Sequence, residues 1–171
     1  MRTLFVLRHA KSSWADPRDR DFDRPLNERG RDSAAAVGRY LRDRDWSFDL
    51  VLASPAVRVR QTIDGIEETY GRPLDPDFRE PLYNAPAAAL AKQLRSIGDS
   101  VEKVLLVGHN PGLQQLVLLL ADADSGDIGG VAAKFPTAAL AELEVRGGWH
   151  DLRPGSCPLI AFVRPSDLAA G

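Results

Sequence analysis

Cysteine is nearly absent from this 171-residue chain: Cys157 stands alone, so no disulfide can form within it. A fold held by disulfide staples is excluded, and a reducing, cytoplasmic setting is expected. Long apolar runs are missing too. The segment before Arg8 is too short for a signal peptide core or a membrane span, and the longest later run, Leu116 to Ala121, suits a core helix. No charge sign dominates, with 22 basic against 24 acidic residues, and the net charge of -2 argues against a general nucleic-acid binder. There is no Walker-type loop of glycines ending in Gly-Lys-Ser/Thr. His9, His109 and His150 show no paired ligand spacing, so no metal is expected; no other cofactor is expected either.

What is present suits one domain over 1–171 with a real core, since 44% of residues are hydrophobic. Short apolar runs alternate with helical patterns, the mark of an α/β fold with a mostly parallel sheet. Thr3 to Leu7, Leu50 to Ala53 and Val104 to Val107 read as buried strands. Ala139 to Val145 and Leu159 to Val163 read as two more, joined by a connection that turns at Gly147-Gly148 and exposes His150. Asn27 is placed to cap a helix reaching about Arg44, with Ala34, Val37 and Leu41 on one face. Ser54-Pro55 reads as an N-cap and first helical position for a helix to about Tyr70. Helices are expected over about Ala87 to Ile97 and Gly112 to Ala121. Lys11 to Pro25 and Arg72 to Pro86 read as surface loops. Asp122 to Gly130 resembles a calcium loop only at its start: Gly126, Asp127 and Ala133 occupy positions that need an acid or Asn, Gly and Glu. A solvated turn is expected there.

Three of the strands deliver polar residues at their C-terminal edges, where open α/β sheets bind ligands. The first brings Arg8 and His9, the second Ser54 with Arg58 just beyond, and the third His109. A single Arg-His pair after a strand is more often surface than catalytic, and Gly-His-Asn-Pro is more often a turn. Their joint placement reverses that weighting. Two guanidinium groups, two imidazoles and two helix N-termini favour a multiply charged anion, and a phosphoryl group fits best. Cys157 heads an apolar strand, which suits packing rather than a thiolate nucleophile.

These segments resemble the histidine phosphatase superfamily: Leu7-Arg-His-Ala-Lys-Ser12, Leu52-Ala-Ser-Pro-Ala-Val-Arg-Val-Arg-Gln-Thr62 and Val107-Gly-His-Asn-Pro111, together with Pro25-Leu-Asn-Glu-Arg-Gly30. The short chain and the Arg-His-Ala-Lys-Ser variant are similar to the SixA-type phosphohistidine phosphatases. The resemblance implies a three-layer, phosphoglycerate mutase-like fold with helices on both sheet faces. It implies that Arg8, His9, Arg58 and His109 are catalytic, and that Ser12 and Asn110 sit beside the phosphate with Arg8, Arg58 and His109. Two positions depart from the common pattern. Ala10 replaces a glycine, as in the SixA-like branch, and Ala15 replaces an asparagine often found further along that loop, which bears on the loop's hydrogen bonding.

The expected chemistry is attack by neutral His9 on phosphorus, then hydrolysis of the phosphohistidine by water. Neighbouring cations are expected to depress the pKa of His9. Glu80 is the carboxylate best placed by sequence to protonate a leaving group. With no room for long lids, the pocket should be open enough to admit a side chain on a folded protein, with Lys11 and Trp14 near the partner. The expected partner is a phosphorylated protein, with a small phosphorylated substrate as the alternative and no nucleic acid or membrane. A phosphate-recognition module without turnover is a third reading, and the intact Arg8, His9, Arg58 and His109 set makes it the weakest.

Overall fold

Continuous apolar runs on short strands need cover on both faces, and the chain supplies it with helices. The computed structural model describes residues 1–169. Its six-stranded sheet has the order β3-β2-β4-β1-β5-β6. β1 (Arg2–Arg8), β2 (Leu50–Ala53), β3 (Asp77–Phe78) and β4 (Lys103–Gly108) run parallel. β5 (Leu140–Val145) and β6 (Leu159–Val163) complete the sheet antiparallel. Strand β3 lies inside the expected loop 72–86. Two residues carry no period that a sequence could reveal.

The central strands sort their side chains by parity. Phe5, Leu7, Val51, Ala53, Leu105 and Val107 pack under α1 (Glu28–Asp43) and α2 (Val57–Tyr70). Leu4, Val6, Leu52, Val104 and Leu106 pack on the other side with α3 (Ala87–Arg95) and α4 (Gly112–Leu120). The result is the expected three-layer arrangement. It follows from the chain path: two successive crossovers carry it one way along the sheet, and the third returns to insert β4 between β2 and β1. Right-handed crossovers running in opposite directions place their helices on opposite faces. Two short helices are additions to the sequence reading. α5 (Ile128–Ala133) is capped by Asp127, whose Oδ1 accepts the Gly130 N–H at 2.9 Å, so the acidic stretch ends in a helix start rather than a turn alone. α6 (Pro165–Ala169) packs against α1. Cys157 is fully buried in the core, and no described helix is long and apolar enough to cross a membrane.

The register decides where the site lies. Arg8 is opposite Gly108 and Ala53 is opposite Val107, so β1, β2 and β4 end at one level. The ladder then runs one residue further: His9 N–H donates to the Gly108 carbonyl at 3.0 Å and Ser54 N–H to the Val107 carbonyl at 3.1 Å.

Candidate active site

Because the three strands end together, their next residues meet. His9, Arg58 and His109 line one pocket with Arg8, Ser12 and Asn110, and its volume is about 440 Å³. His9, Arg58 and His109 are all buried. The His9 ring is fixed by its Nδ1, 2.7 Å from the Ala10 carbonyl. A carbonyl only accepts, so Nδ1 carries the proton and Nε2 carries the free lone pair. That lone pair accepts from Arg58 Nε at 3.3 Å. Arg58 Nη2 is 3.1 Å from His109 Nδ1, and a guanidinium only donates, so Nδ1 of His109 is the acceptor. His109 Nε2 therefore carries the proton and donates to Ser54 Oγ at 2.7 Å.

Both rings are held neutral. Burial is the largest cause of lowering His9 to about 3, with Arg58, Arg8 and Arg24 adding to it and the Ala10 hydrogen bond opposing it. The sequence points to cations as the cause; desolvation exceeds them. His109 is also lowered to about 3, by burial first and then by Arg58 and His9.

The Ser54 expectation needs correction. α2 begins two residues later, at Val57 with Ala56 as its cap, and Ser54 turns its hydroxyl to His109. The Arg-Gln-Thr run in the first turns of α2 braces the site from behind. Thr62 Oγ1 accepts the Ala10 N–H at 2.9 Å and donates to the Arg58 carbonyl at 2.7 Å. Gln61 Oε1 accepts the Leu26 N–H at 2.8 Å. Arg8 donates through Nη1 to the Phe135 carbonyl at 3.1 Å, and its buried Nε has no partner among the described residues. Asn110 donates to the same carbonyl at 2.9 Å and caps the start of α4 by accepting the Gln114 N–H. Ser12 joins the pocket wall through a backbone bridge to Leu26.

The segment 11–25 is not a plain surface loop. It folds back over the pocket, tied by Ser13 N–H to the Pro25 carbonyl at 2.8 Å and by Asn27 N–H to the Lys11 carbonyl at 3.0 Å. These backbone bonds, with the Ala15 N–H to Ser13 Oγ bond, organise the loop in which Ala15 stands for an asparagine. A 3-10 turn, Asp21–Asp23, inserts Asp21 into the pocket. Asp21 Oδ2 accepts from Arg58 at 3.1 Å, from the Tyr83 hydroxyl at 2.5 Å and from Asn84 at 3.3 Å. Burial acts to raise its pKa, but Tyr83, Arg58 and Asn84 together hold it well below the usual carboxylate range. Arg24, 7% exposed, also lines the pocket. Its guanidinium lies 3.5 Å from the Trp14 ring centroid, and its buried Nη1 has no partner among the described residues.

Glu80 is the site residue that the structure leaves outside. It is exposed, opens the 3-10 turn Glu80–Leu82 and is absent from the pocket lining. That turn aims the following residues inward instead: Tyr83 and Asn84 reach Asp21. The carboxylate of the site thus comes from the first loop, not the second. His150 is exposed, as expected, in a 3-10 turn between β5 and β6.

A mostly parallel sheet with this strand order, bearing Arg8, His9 and His109 at strand ends and Arg58 in the first turn of α2, defines an α/β protein of the phosphoglycerate mutase-like class. Residues 4–85 match the model of the histidine phosphatase superfamily (branch 1), and the chain belongs to that superfamily. It is 36% identical over 164 residues to an uncharacterised protein of Mycobacterium tuberculosis, covering 93% of this chain and 99% of that relative. Two solved structures are similar over almost the whole chain. One is the candidate phosphohistidine phosphatase SixA of Agrobacterium tumefaciens, at 32% identity and a TM-score of 0.78, covering 96% of this chain and 98% of that one. The other is the corresponding SixA of Nakamurella multipartitia, at 29% identity and a TM-score of 0.83, covering 96% of each.

Proposed function

We propose that this protein is a phosphatase that removes the phosphoryl group of phosphohistidine on a protein through a phosphohistidine intermediate at His9. The observation that carries the reading is the tautomer of His9: Nδ1–H is spent on the Ala10 carbonyl, and Nε2 presents a neutral lone pair among Arg8, Arg24 and Arg58. In the first step Nε2 bonds to phosphorus as the bond to the substrate nitrogen breaks. A substrate ring protonated on its other nitrogen departs as neutral imidazole. In the second step water attacks the phosphoryl group and His9 leaves. Because Nδ1 keeps its proton throughout, His9 also leaves as neutral imidazole. The three guanidinium groups hold the equatorial oxygens while charge redistributes.

The acids of the site bear on the substrate. Among the described residues Asp21 is the one carboxylate in the lining, and its partners keep it ionised. An ionised carboxylate can take a proton from the attacking water but has none to give an alkoxide. A leaving imidazole, with a conjugate acid pKa of ~6.5, needs far less help. This favours a phosphoramidate over a phosphoester. Trp14 on the pocket rim is 77% exposed, as suits contact with a macromolecule.

Steady-state rates on a histidine-phosphorylated carrier protein, set against a panel of sugar and nucleotide phosphates, test the reading. The phosphoprotein is expected to show a kcat/KM at least about tenfold higher, a margin of ~1.4 kcal/mol. Faster turnover of any small ester would move the assignment to phosphomonoesters.

A further inference from the structure

Outside the catalytic pocket lies a second concavity of about 430 Å³, and Lys11 and Thr137 belong to both. Its wall carries four cations from four separate segments: Lys11 after β1, Arg29 in the first turn of α1, Lys134 after α5 and Arg164 after β6. Arg164 is paired with Asp127 and Asp167. Among the described residues, Lys11, Arg29 and Lys134 have no carboxylate partner, and all three are exposed. A chain with a net charge of -2 thus gathers unpaired positive charge beside its active site.

We propose that this groove docks an acidic segment of the protein that carries the phosphoryl group, next to the phosphorylated side chain. The proposal rests on the phosphoprotein reading of the catalytic pocket. Three features select the partner chemistry. Exposed cations spread over separate segments match carboxylates spread over a protein surface, whereas a built site for a second phosphate would converge buried donors on one point, as the catalytic pocket does. No aromatic side chain lines the groove, so it offers nothing for bases to stack on, which disfavours a nucleic acid. Finally, the positive strip is bounded. Beyond Ser33 and Pro165 the surface continues into a concavity where three carboxylates, Asp32, Asp43 and Asp167, outnumber the single cation Arg39. The partner should therefore be acidic close to its phosphorylated residue and lose that character further away.

Such docking acts on encounter and on KM, and it weakens with salt. The test uses the full chain, wild type and Arg29→Glu/Lys134→Glu, neither residue being part of the catalytic pocket. An Arg42→Glu/Arg72→Glu variant makes the same change in net charge at surface positions outside the groove. The first probe is a fluorescein-labelled decapeptide of alternating Glu and Ser, titrated at about 20 and 200 mM salt. Wild type and the Arg42/Arg72 variant are expected to bind it in a salt-sensitive way, and the groove variant at least about tenfold more weakly. Equal affinity in all three, no binding to wild type, or tighter binding of a single-stranded oligonucleotide would overturn the proposal. The second probe is turnover. The groove variant should lose about tenfold in kcat/KM on a histidine-phosphorylated protein, mainly through KM, and change less than about twofold on p-nitrophenyl phosphate. Equal losses on both substrates would also overturn it. If wild type binds the peptide yet fails to turn over the phosphoprotein, the phosphohistidine reading fails on its own.

Discussion

A histidine nucleophile needs a bare nitrogen and a ring that does not turn, and at His9, the proposed nucleophile, different neighbours supply the two. The Ala10 carbonyl fixes the ring, and burial with three nearby arginines keeps Nε2 unprotonated. Arg24 is the least obvious of those arginines. It spends Nε on Asp21 at 3.3 Å and its face on Trp14, which leaves a buried Nη1 beside the pocket without a partner among the described residues. A buried unpaired donor costs free energy until an anion fills it. Arg24→Ala is therefore expected to weaken vanadate binding by about tenfold or more, the worth of one hydrogen bond to a charged group. Isothermal titration would measure it, and unchanged affinity would remove Arg24 from the site. His9, Arg58 and His109 were legible in the sequence because each follows directly from a strand end or helix start. Arg24 and Asp21 were not, because their place depends on how a loop of mixed charge folds back, and no periodicity encodes that.

At the scale of elements, the loops depend on a few braces. Asn27 caps α1 by accepting the Gly30 N–H at 2.8 Å, and a Cβ on Gly30 would collide with the Lys11 carbonyl. The start of α1 and the loop after β1 are therefore one unit. Gly112 stands in the same relation to the Ala85 carbonyl, which seats the segment carrying Tyr83 and Asn84 against α4. Thr62 is the brace closest to the chemistry. Thr62→Val keeps the shape but loses the acceptor for the Ala10 N–H, leaving a buried donor unpaired. The expected result is a loss of about 1–3 kcal/mol in stability, from chemical unfolding, with kcat falling more than KM rises because the His9-Ala10 turn shifts. Unchanged kcat would show that the turn holds without it. Helices α1 to α4 were readable from the 3.6-residue spacing, and α1 from its Asn27 cap as well, while the short α5 and α6 were not. Strand β3 and the late start of α2 were not: two residues carry no pattern, and Ser54 is equally good chemistry for a helix cap or a histidine partner.

Across the whole molecule, keeping two buried imidazoles neutral makes stability depend on pH. Both fold with a pKa near 3, against about 6.5 for a free histidine. In the window between those values the unfolded chain binds more protons than the native one. Stability is therefore complete above about pH 6.5 and is lost as pH falls toward 3. At pH 4 each ring costs on the order of 3 kcal/mol. A His9→Ala/His109→Asn variant should lose less of its melting temperature between pH 7 and pH 4 than wild type does. An identical loss would mean that the rings protonate while still folded. The mostly parallel character of the sheet was legible, since it follows from alternating strands and helices, but the strand order was not. The convergence of the site follows from their common register, which only the folded sheet provides.

The role of His9 is tested most directly by trapping the intermediate. Wild-type protein mixed with a 32P-labelled histidine-phosphorylated protein and quenched in base within milliseconds should carry label that is stable to alkali and lost in acid. Peptide mapping should place that label on His9, at up to about one phosphoryl group per chain. His9→Ala should carry none and release no phosphate. Label on another residue, or phosphate release by His9→Ala at the wild-type rate, would contradict the assignment of His9 as the nucleophile.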